Sequence, residues 1–161
     1  MILRVILLNG ASSSGKSTLA IALKEKLNWE FDIVSIDEFL KMSADEVIYE
    51  DDVFDINPLI CKRAVEILKG GHGVIIDHVI TSERIYRQLR EELEGYEFIK
   101  VKAECPLSEL EKRERERGDR CIGSAKASYE YLYPKDGYDV TVDTLNLTAE
   151  ECAEKILGLL G

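Results

Sequence analysis

Eight consecutive residues, Gly10-Ala11-Ser12-Ser13-Ser14-Gly15-Lys16-Ser17, combine two glycines, a lysine and hydroxyls at a spacing suited to a chain of phosphates. A triphosphate needs many donors that carry no bulk. Gly10 and Gly15 let the backbone curl so that successive N–H groups converge on anionic oxygens. The first turn of a following helix adds unpaired N–H groups and the positive end of its dipole. Lys16 supplies a full charge near the β- and γ-phosphates, and the Ser17 hydroxyl is the expected Mg²⁺ ligand. Gly, four residues, then Gly-Lys-Ser is the P-loop pattern, whose meaning depends on a strand before it and a helix after it. Both are present: Ile2-Leu3-Arg4-Val5-Ile6-Leu7-Leu8 precedes the motif, and Thr18-Leu19-Ala20-Ile21-Ala22-Leu23 follows. Residues 10–18, Thr18 included, are thus the candidate nucleotide cradle.

Two aspartates stand where apolar strands end. Ile33-Val34-Ser35-Ile36 runs into Asp37, where a carboxylate can orient an acceptor hydroxyl beside the P-loop and take its proton. The competing reading is an N-cap for a helix starting at Glu38. Val74-Ile75-Ile76 ends in Asp77, the pattern of a carboxylate that holds Mg²⁺ directly or through water, against a plain capping role. His78 follows and is placed to face the acceptor; His72 reads as a turn residue.

One segment is unusually charged. The segment after Pro106 carries Glu109, Glu111, Lys112, Arg113, Glu114, Arg115, Glu116 and Arg117, then Gly118-Asp119-Arg120. By composition it is a solvated helix laced with pairs such as Glu109–Arg113 and Glu111–Arg115. Arg113 and Arg117 nevertheless share one face, and Arg120 follows a Gly-Asp turn. Arginines on a short lid are what phosphoryl transfer requires, because charge on the transferred group must be neutralised and water excluded. Arg117 and Arg120 are candidates for that role, and Arg115 reads as a surface charge.

Alternating strand-like and helix-like segments must position these groups. Strands are predicted near 2–8, 33–36, 73–77, 97–103 and 139–143, and helices near 16–27, 38–43, 56–69, 82–93, 106–117, 124–132 and 148–160. Short apolar strands separated by helices imply an α/β fold whose parallel sheet is covered on both faces. Ligands then bind beyond the carboxyl ends of the strands, where the candidates fall. Thr148 and Glu151 form a capping box for the last helix, and the loop before it is a candidate backbone contact for adenine. Residues 43–55 hold Asp45, Glu46, Glu50, Asp51, Asp52 and Asp55 with no basic residue. They read as a solvated acidic loop or as the place where a polar or cationic acceptor is recognised, with Tyr49, Val53 and Phe54 as an apolar wall.

At 161 residues, without repeats or a linker, one domain spanning 1–161 is expected. A formal charge of −10 argues against broad nucleic-acid binding, which rests on a basic surface. No apolar run reaches the length of a membrane span, and a cytoplasmic protein is expected. Cys61, Cys105, Cys121 and Cys152 show no metal or CxxC spacing; Cys61 and Cys152 read as small core residues in helices.

Assembled, these motifs resemble the chloramphenicol phosphotransferase family of P-loop kinases over nearly the full chain. The likeness is carried by Leu8-Asn9-Gly10 through Ser17, Asp37, Ile75-Ile76-Asp77, Arg113-Glu114, Arg117-Gly118-Asp119-Arg120, Tyr138-Asp139-Val140, Val142-Asp143-Thr144 and Glu151-Cys152-Ala153. The resemblance implies a small-kinase P-loop fold with a five-stranded parallel sheet and an arginine-bearing lid near 113–124. It also implies ATP with Mg²⁺ as donor, and a small-molecule hydroxyl, in chloramphenicol or a related antibiotic, as acceptor. Asp37 would be the catalytic base, Asp77 part of the metal and acceptor region, Arg117 and Arg120 the phosphate-binding lid, and Arg113 a nucleotide contact. The family pattern has a second acidic residue where this chain has His78, and the segment 38–60 matches it poorly. A metabolic kinase for a nucleoside, sugar or cofactor precursor is the alternative. A nucleotide switch is disfavoured, since no Asn-Lys-x-Asp guanine motif occurs.

Overall fold

A computed structural model describes residues 4–160. Its centre is β1 (Arg4–Asn9), whose last five residues are wholly buried. The other strands are β2 (Phe31–Ser35), β3 (Gly73–His78), β4 (Glu97–Glu104) and β5 (Val140–Asp143), all parallel in the order β2-β3-β1-β4-β5. The helices are α1 (Lys16–Lys26), α2 (Glu50–Lys69), α3 (Glu83–Glu92), α4 (Leu107–Arg117), α5 (Ser124–Tyr131) and α6 (Ala149–Leu160). The predicted first strand began at residues 2 and 3, which lie outside the described residues.

Strand side chains alternate between faces, and this sheet uses both. Val5, Leu7, Val74 and Ile76 point to one layer, where Ile60, Ala64 and Leu68 of α2 and Ile85 and Leu89 of α3 cover them. Ile6, Leu8 and Ile75 point to the other, packing on Leu19 and Leu23 of α1 and Cys152, Ala153 and Ile156 of α6. A small third cluster, Ala11, Cys105, Leu110 and Ala125, joins the P-loop to α4 and α5. Because β1 lies between β3 and β4, the crevice where strand order reverses opens beyond its carboxyl end, at the P-loop.

Two predicted elements are corrected. No helix spans 38–43: Ile36–Glu38 form a single 3₁₀ turn and the chain then runs irregularly to Tyr49. Ser35 caps that turn, accepting from the Asp37 N–H at 3.2 Å while Glu38 accepts from the Ser35 N–H at 3.2 Å. With its work done by Ser35, the Asp37 side chain has no capping role. The helix predicted from 56 begins at Glu50, so half of the acidic stretch is helix and not loop. Glu50, Asp51 and Asp52 occupy its first turn, where negative charge complements the dipole, and Asp52 accepts from the Tyr49 N–H at 2.8 Å. The Thr148–Glu151 capping box is present, with both bonds near 3.0–3.1 Å. Of the pairs expected along α4, Glu109–Arg113 forms at 3.3 Å; no Glu111–Arg115 pair forms among the described residues. No described helix is long and apolar enough to cross a membrane.

Candidate active site

The loop between β1 and α1 needs backbone conformations that most side chains resist. Ser13 has φ 71° and Gly15 φ 90°, both left-handed. Gly15 caps α1 without a side-chain partner, leaving the first N–H groups of the helix directed outward as an anion site. Lys16 is 5% exposed. Its Nζ donates to the Ala11 carbonyl at 3.1 Å and to Ser14 Oγ at 3.3 Å. Burial lowers its pKa, opposed by the charges of Asp77 and Asp37, so both carboxylates act on this ammonium.

Asp77 is the penultimate residue of β3, beside β1 in the sheet, and is 3% exposed. Its Oδ2 accepts from Ser17 Oγ at 2.9 Å and from Ser35 Oγ at 3.0 Å. A hydroxyl and a carboxylate in contact at the foot of a phosphate loop are hard oxygen donors. Mg²⁺ commonly takes one or two such protein ligands and fills its octahedron with water and phosphate oxygens. Ser17 and Asp77 therefore fit that ion. No larger His, Cys, Asp or Glu cluster suited to a metal occurs among the described residues.

The lid arches from α4 to α5. Arg113 donates to the Thr144 carbonyl at 2.8 Å and to the Ser13 carbonyl at 3.4 Å, bridging the P-loop and the β5–α6 connection. Arg117 reaches Ser13 Oγ at 3.5 Å and pairs with Asp119 at 2.7 Å. Arg120 pairs with Asp37 at 3.2 Å and with Asp119 at 3.1 Å. Gly118, with φ 70°, turns the chain out of α4 toward these residues.

All of this opens on one cavity of about 1110 Å³. Ser12, Ser13, Gly15, Lys16, Ser17, Thr18, Asp37, Asp77, Arg113, Arg117 and Arg120 line it. Gly10, Ala11 and Ser14 stand behind the lining; the Ala11 carbonyl and Ser14 hydroxyl hold Lys16 instead. The wall built from residues 42–53 and 79 is largely apolar, with Met42, Val47, Ile48, Tyr49, Val53 and Val79, and Ile36 and Tyr131 add apolar lining elsewhere. Phe54 lies off this wall, packed on the core beneath the Arg84 guanidinium. The loop before α6 is held by Asp143, which accepts from the Leu145 and Asn146 N–H groups, and it does not line the cavity.

His78 does not face an acceptor. It is fully buried: Nε2 donates to Asn57 Oδ1 at 2.8 Å and Nδ1 accepts from the Val79 N–H at 2.9 Å. The following residue, Val79, reaches the cavity in its place.

Sequence reasoning missed the contribution of α5. Ser124, Ala127, Ser128 and Tyr131 line the cavity, and Ser128 Oγ accepts from the Ser12 N–H at 2.9 Å. Their spacing of three, four and seven residues is a single helix face, which was the available signal. Asn9 was read only as part of a motif. Its side chain ties the end of β1 to the Ile80 N–H, the Tyr133 carbonyl and the Tyr138 hydroxyl, at 2.9–3.0 Å.

The β2-β3-β1-β4-β5 sheet, the phosphate loop and the arginine lid together define a P-loop kinase of the small-molecule class. The chain belongs to the chloramphenicol phosphotransferase-like protein family, whose model matches residues 3–160, and is an ATP-dependent kinase. Solved structures share the fold. The APS kinase of Mycobacterium tuberculosis, in complex with AMPPNP and APS, has TM-score 0.76 at 20% identity, covering 99% of this chain and 98% of that one. A gluconokinase from Sinorhizobium meliloti has TM-score 0.76 at 24% identity, covering 97% and 91%. The tunicamycin resistance protein of Deinococcus radiodurans has TM-score 0.70 at 19% identity, covering 99% and 96%. No curated protein matches the chain.

Proposed function

We propose that the protein transfers the γ-phosphate of ATP to a hydroxyl of an uncharged small molecule, of the kind represented by chloramphenicol or a related antibiotic. The observation that carries this reading is the polarity of the cavity beside the P-loop. Its cations, Lys16, Arg113, Arg117 and Arg120, belong to the P-loop and lid, while the wall built from residues 42–53 and 79–81 is largely apolar, its polar groups being Ser43, Thr81 and the carboxylates Glu46 and Glu50. An acceptor bearing a phosphate or carboxylate would find no counter-charge there, and burying an unpaired charge is costly. A hydroxylated apolar molecule suits that wall.

In the proposed reaction the P-loop N–H groups and Lys16 hold the phosphate chain. The acceptor lies against Tyr49, Val53 and Val79 with its hydroxyl at Asp37. Asp37 takes the hydroxyl proton as the oxygen attacks the γ-phosphorus and the bond to ADP breaks. Lys16, Arg117 and Arg120 stabilise charge on the transferred group, and the lid excludes water. Mg²⁺ held by Ser17 and Asp77 would supply further charge neutralisation at the phosphates.

The test is mass spectrometry of acceptors incubated with the purified protein and Mg²⁺-ATP: chloramphenicol, other hydroxylated antibiotics, nucleosides and sugars, with Asp37→Asn as control. The expected product is a phosphorylated neutral antibiotic, lost in the mutant by roughly two to four powers of ten in turnover while ATP still binds. Efficient phosphorylation of a sugar acid or nucleotide would overturn the acceptor assignment. Undiminished transfer by Asp37→Asn would remove the base.

A further inference from the structure

Glu114 is 2% exposed on a helix otherwise crowded with solvated charge. Both of its carboxylate oxygens are used, and neither pairs with a cation among the described residues. Oε2 accepts from the Gly123 N–H at 3.1 Å and Oε1 from the Ala125 N–H at 2.8 Å. Those N–H groups belong to the N-terminus of α5, whose cap, Gly123, offers no side chain for the purpose. Glu114 therefore supplies the capping carboxylate from the opposite end of the lid.

The position matters because the bond joins the two roots of the segment 118–122. Arg117 leaves α4 one turn after Glu114, and Arg120 lies midway along the segment that Glu114 closes. The connection is also part of a ring. Arg113, next to Glu114, holds the Ser13 carbonyl of the P-loop, and Ser128 of α5 holds the Ser12 N–H. P-loop, α4 and α5 are thus pinned to one another at three corners, and only the α4–α5 corner rests on a buried charge.

We infer that Glu114 is a positioning residue for phosphoryl transfer: by clamping α5 to α4 it fixes the span of the lid and sets Arg117 and Arg120 against the terminal phosphate. The inference rests on the kinase reading above. Carboxylate chemistry is required, since both partners are N–H donors. Glu114→Gln keeps the shape but turns an NH₂ toward one of them, leaving that N–H unmatched.

Calorimetric titration with Mg²⁺-ADP and Mg²⁺-AMPPNP tests this without any acceptor. ADP reports the P-loop, and the extra affinity for AMPPNP reports the lid on the terminal phosphate. In Glu114→Gln, ADP affinity is expected to stay within about twofold, while the AMPPNP-to-ADP preference falls roughly tenfold, the scale of one lost charged hydrogen bond. Glu114→Asp, which keeps the charge on a shorter arm, is expected to fall between. In an Arg117→Ala/Arg120→Ala background the Gln substitution should change the preference no further. Equal losses for both nucleotides, or the same loss with the arginines absent, would overturn the inference by showing a general structural role. Should Glu114→Gln not fold, the Asp variant against the arginine-free background decides by the same criterion. A native protein that binds neither nucleotide would instead overturn the kinase reading itself.

Discussion

Arg120 donates from Nη2 to Oδ2 of Asp37 across 3.2 Å, tying the middle of the lid to the 3₁₀ turn that follows β2. The arginine side chain is only 10% exposed, whereas the carboxylate is 41% exposed. The pair therefore does not derive its value from surface charge attraction, which is small. In the proposed reaction it places the guanidinium beside the hydroxyl to be phosphorylated. Arg120→Ala is expected to lower kcat by about 10²–10³-fold, the scale for removing one preorganised donor to developing charge. KM for the acceptor should change much less. Steady-state kinetics with the acceptor found by mass spectrometry check this; a mutant with native kcat would confine Arg120 to holding the lid shut.

The Ser17–Asp77 contact predicts how the protein depends on Mg²⁺. Both groups offer hard oxygen and Asp77 is also steadied by Ser35, so in the proposed site each would contribute to one Mg²⁺. Ser17→Ala and Asp77→Asn are expected to raise the Mg²⁺ concentration for half-maximal activity by roughly 10- to 100-fold. The Asp77 variant should show the larger change, since it removes the negative charge that would face the ion while keeping an oxygen for the two hydroxyls. Activity titrated with Mg²⁺ at saturating ATP measures this, and unshifted curves would remove both residues from the metal site.

How far the sequence reached is clearest from contrasting positions. The sheet and P-loop were legible because their requirements are local: Val5-Ile6-Leu7-Leu8 can only be a strand buried on both faces, and Gly15-Lys16-Ser17 makes sense only at a helix start. The start of α2 was not. Pro58 and a run of acids resemble the beginning of a helix near 56, yet the acids are themselves the first turn and Pro58 lies well inside. Ser35 displaced Asp37 from capping because its shorter hydroxyl reaches the Asp37 N–H. Glu114 and His78 were misjudged for one reason. A polar residue in a charged helix or at a strand end looks solvent-facing until α5 or Asn57, brought back by the fold, packs over it.

His78 gives a pH prediction. Burial pushes its imidazole down to about 3, the charge of Lys16 acts in the same direction, and both ring nitrogens are engaged in the neutral form. In the unfolded chain it titrates near its ordinary 6.5. The unfolded state thus binds the extra proton as pH falls between those values. The stability contributed is complete above 6.5 and is lost toward pH 3, at up to about 1.4 kcal/mol per pH unit. Carboxylates contribute to acid unfolding as well, so the comparison is with His78→Gln. Denaturant unfolding at pH 7, 6, 5 and 4 should show the variant less stable at pH 7, with the gap closing as acid is added. A constant gap would contradict the neutral, buried state.

Gly10 makes a prediction from space alone. A Cβ there would sit 2.7 Å from the Ala103 carbonyl oxygen and 2.8 Å from Ser14 Oγ, both inside contact distance. The first belongs to β4, locked in the sheet beside β1, and cannot retreat without breaking that pairing. The second is the hydroxyl that steadies Lys16. Relief must therefore come from the P-loop itself. Gly10→Ala is expected to cost about 1–3 kcal/mol of stability, the range for overpacking a close-packed site. Nucleotide affinity should fall with it, because moving Ser14 releases the lysine from its seat. Thermal unfolding and ADP titration of the same preparation separate the two effects. A stable variant that binds ADP normally would show that the loop accommodates a methyl group and that the approach of Gly10 to Ala103 is not needed for phosphate binding.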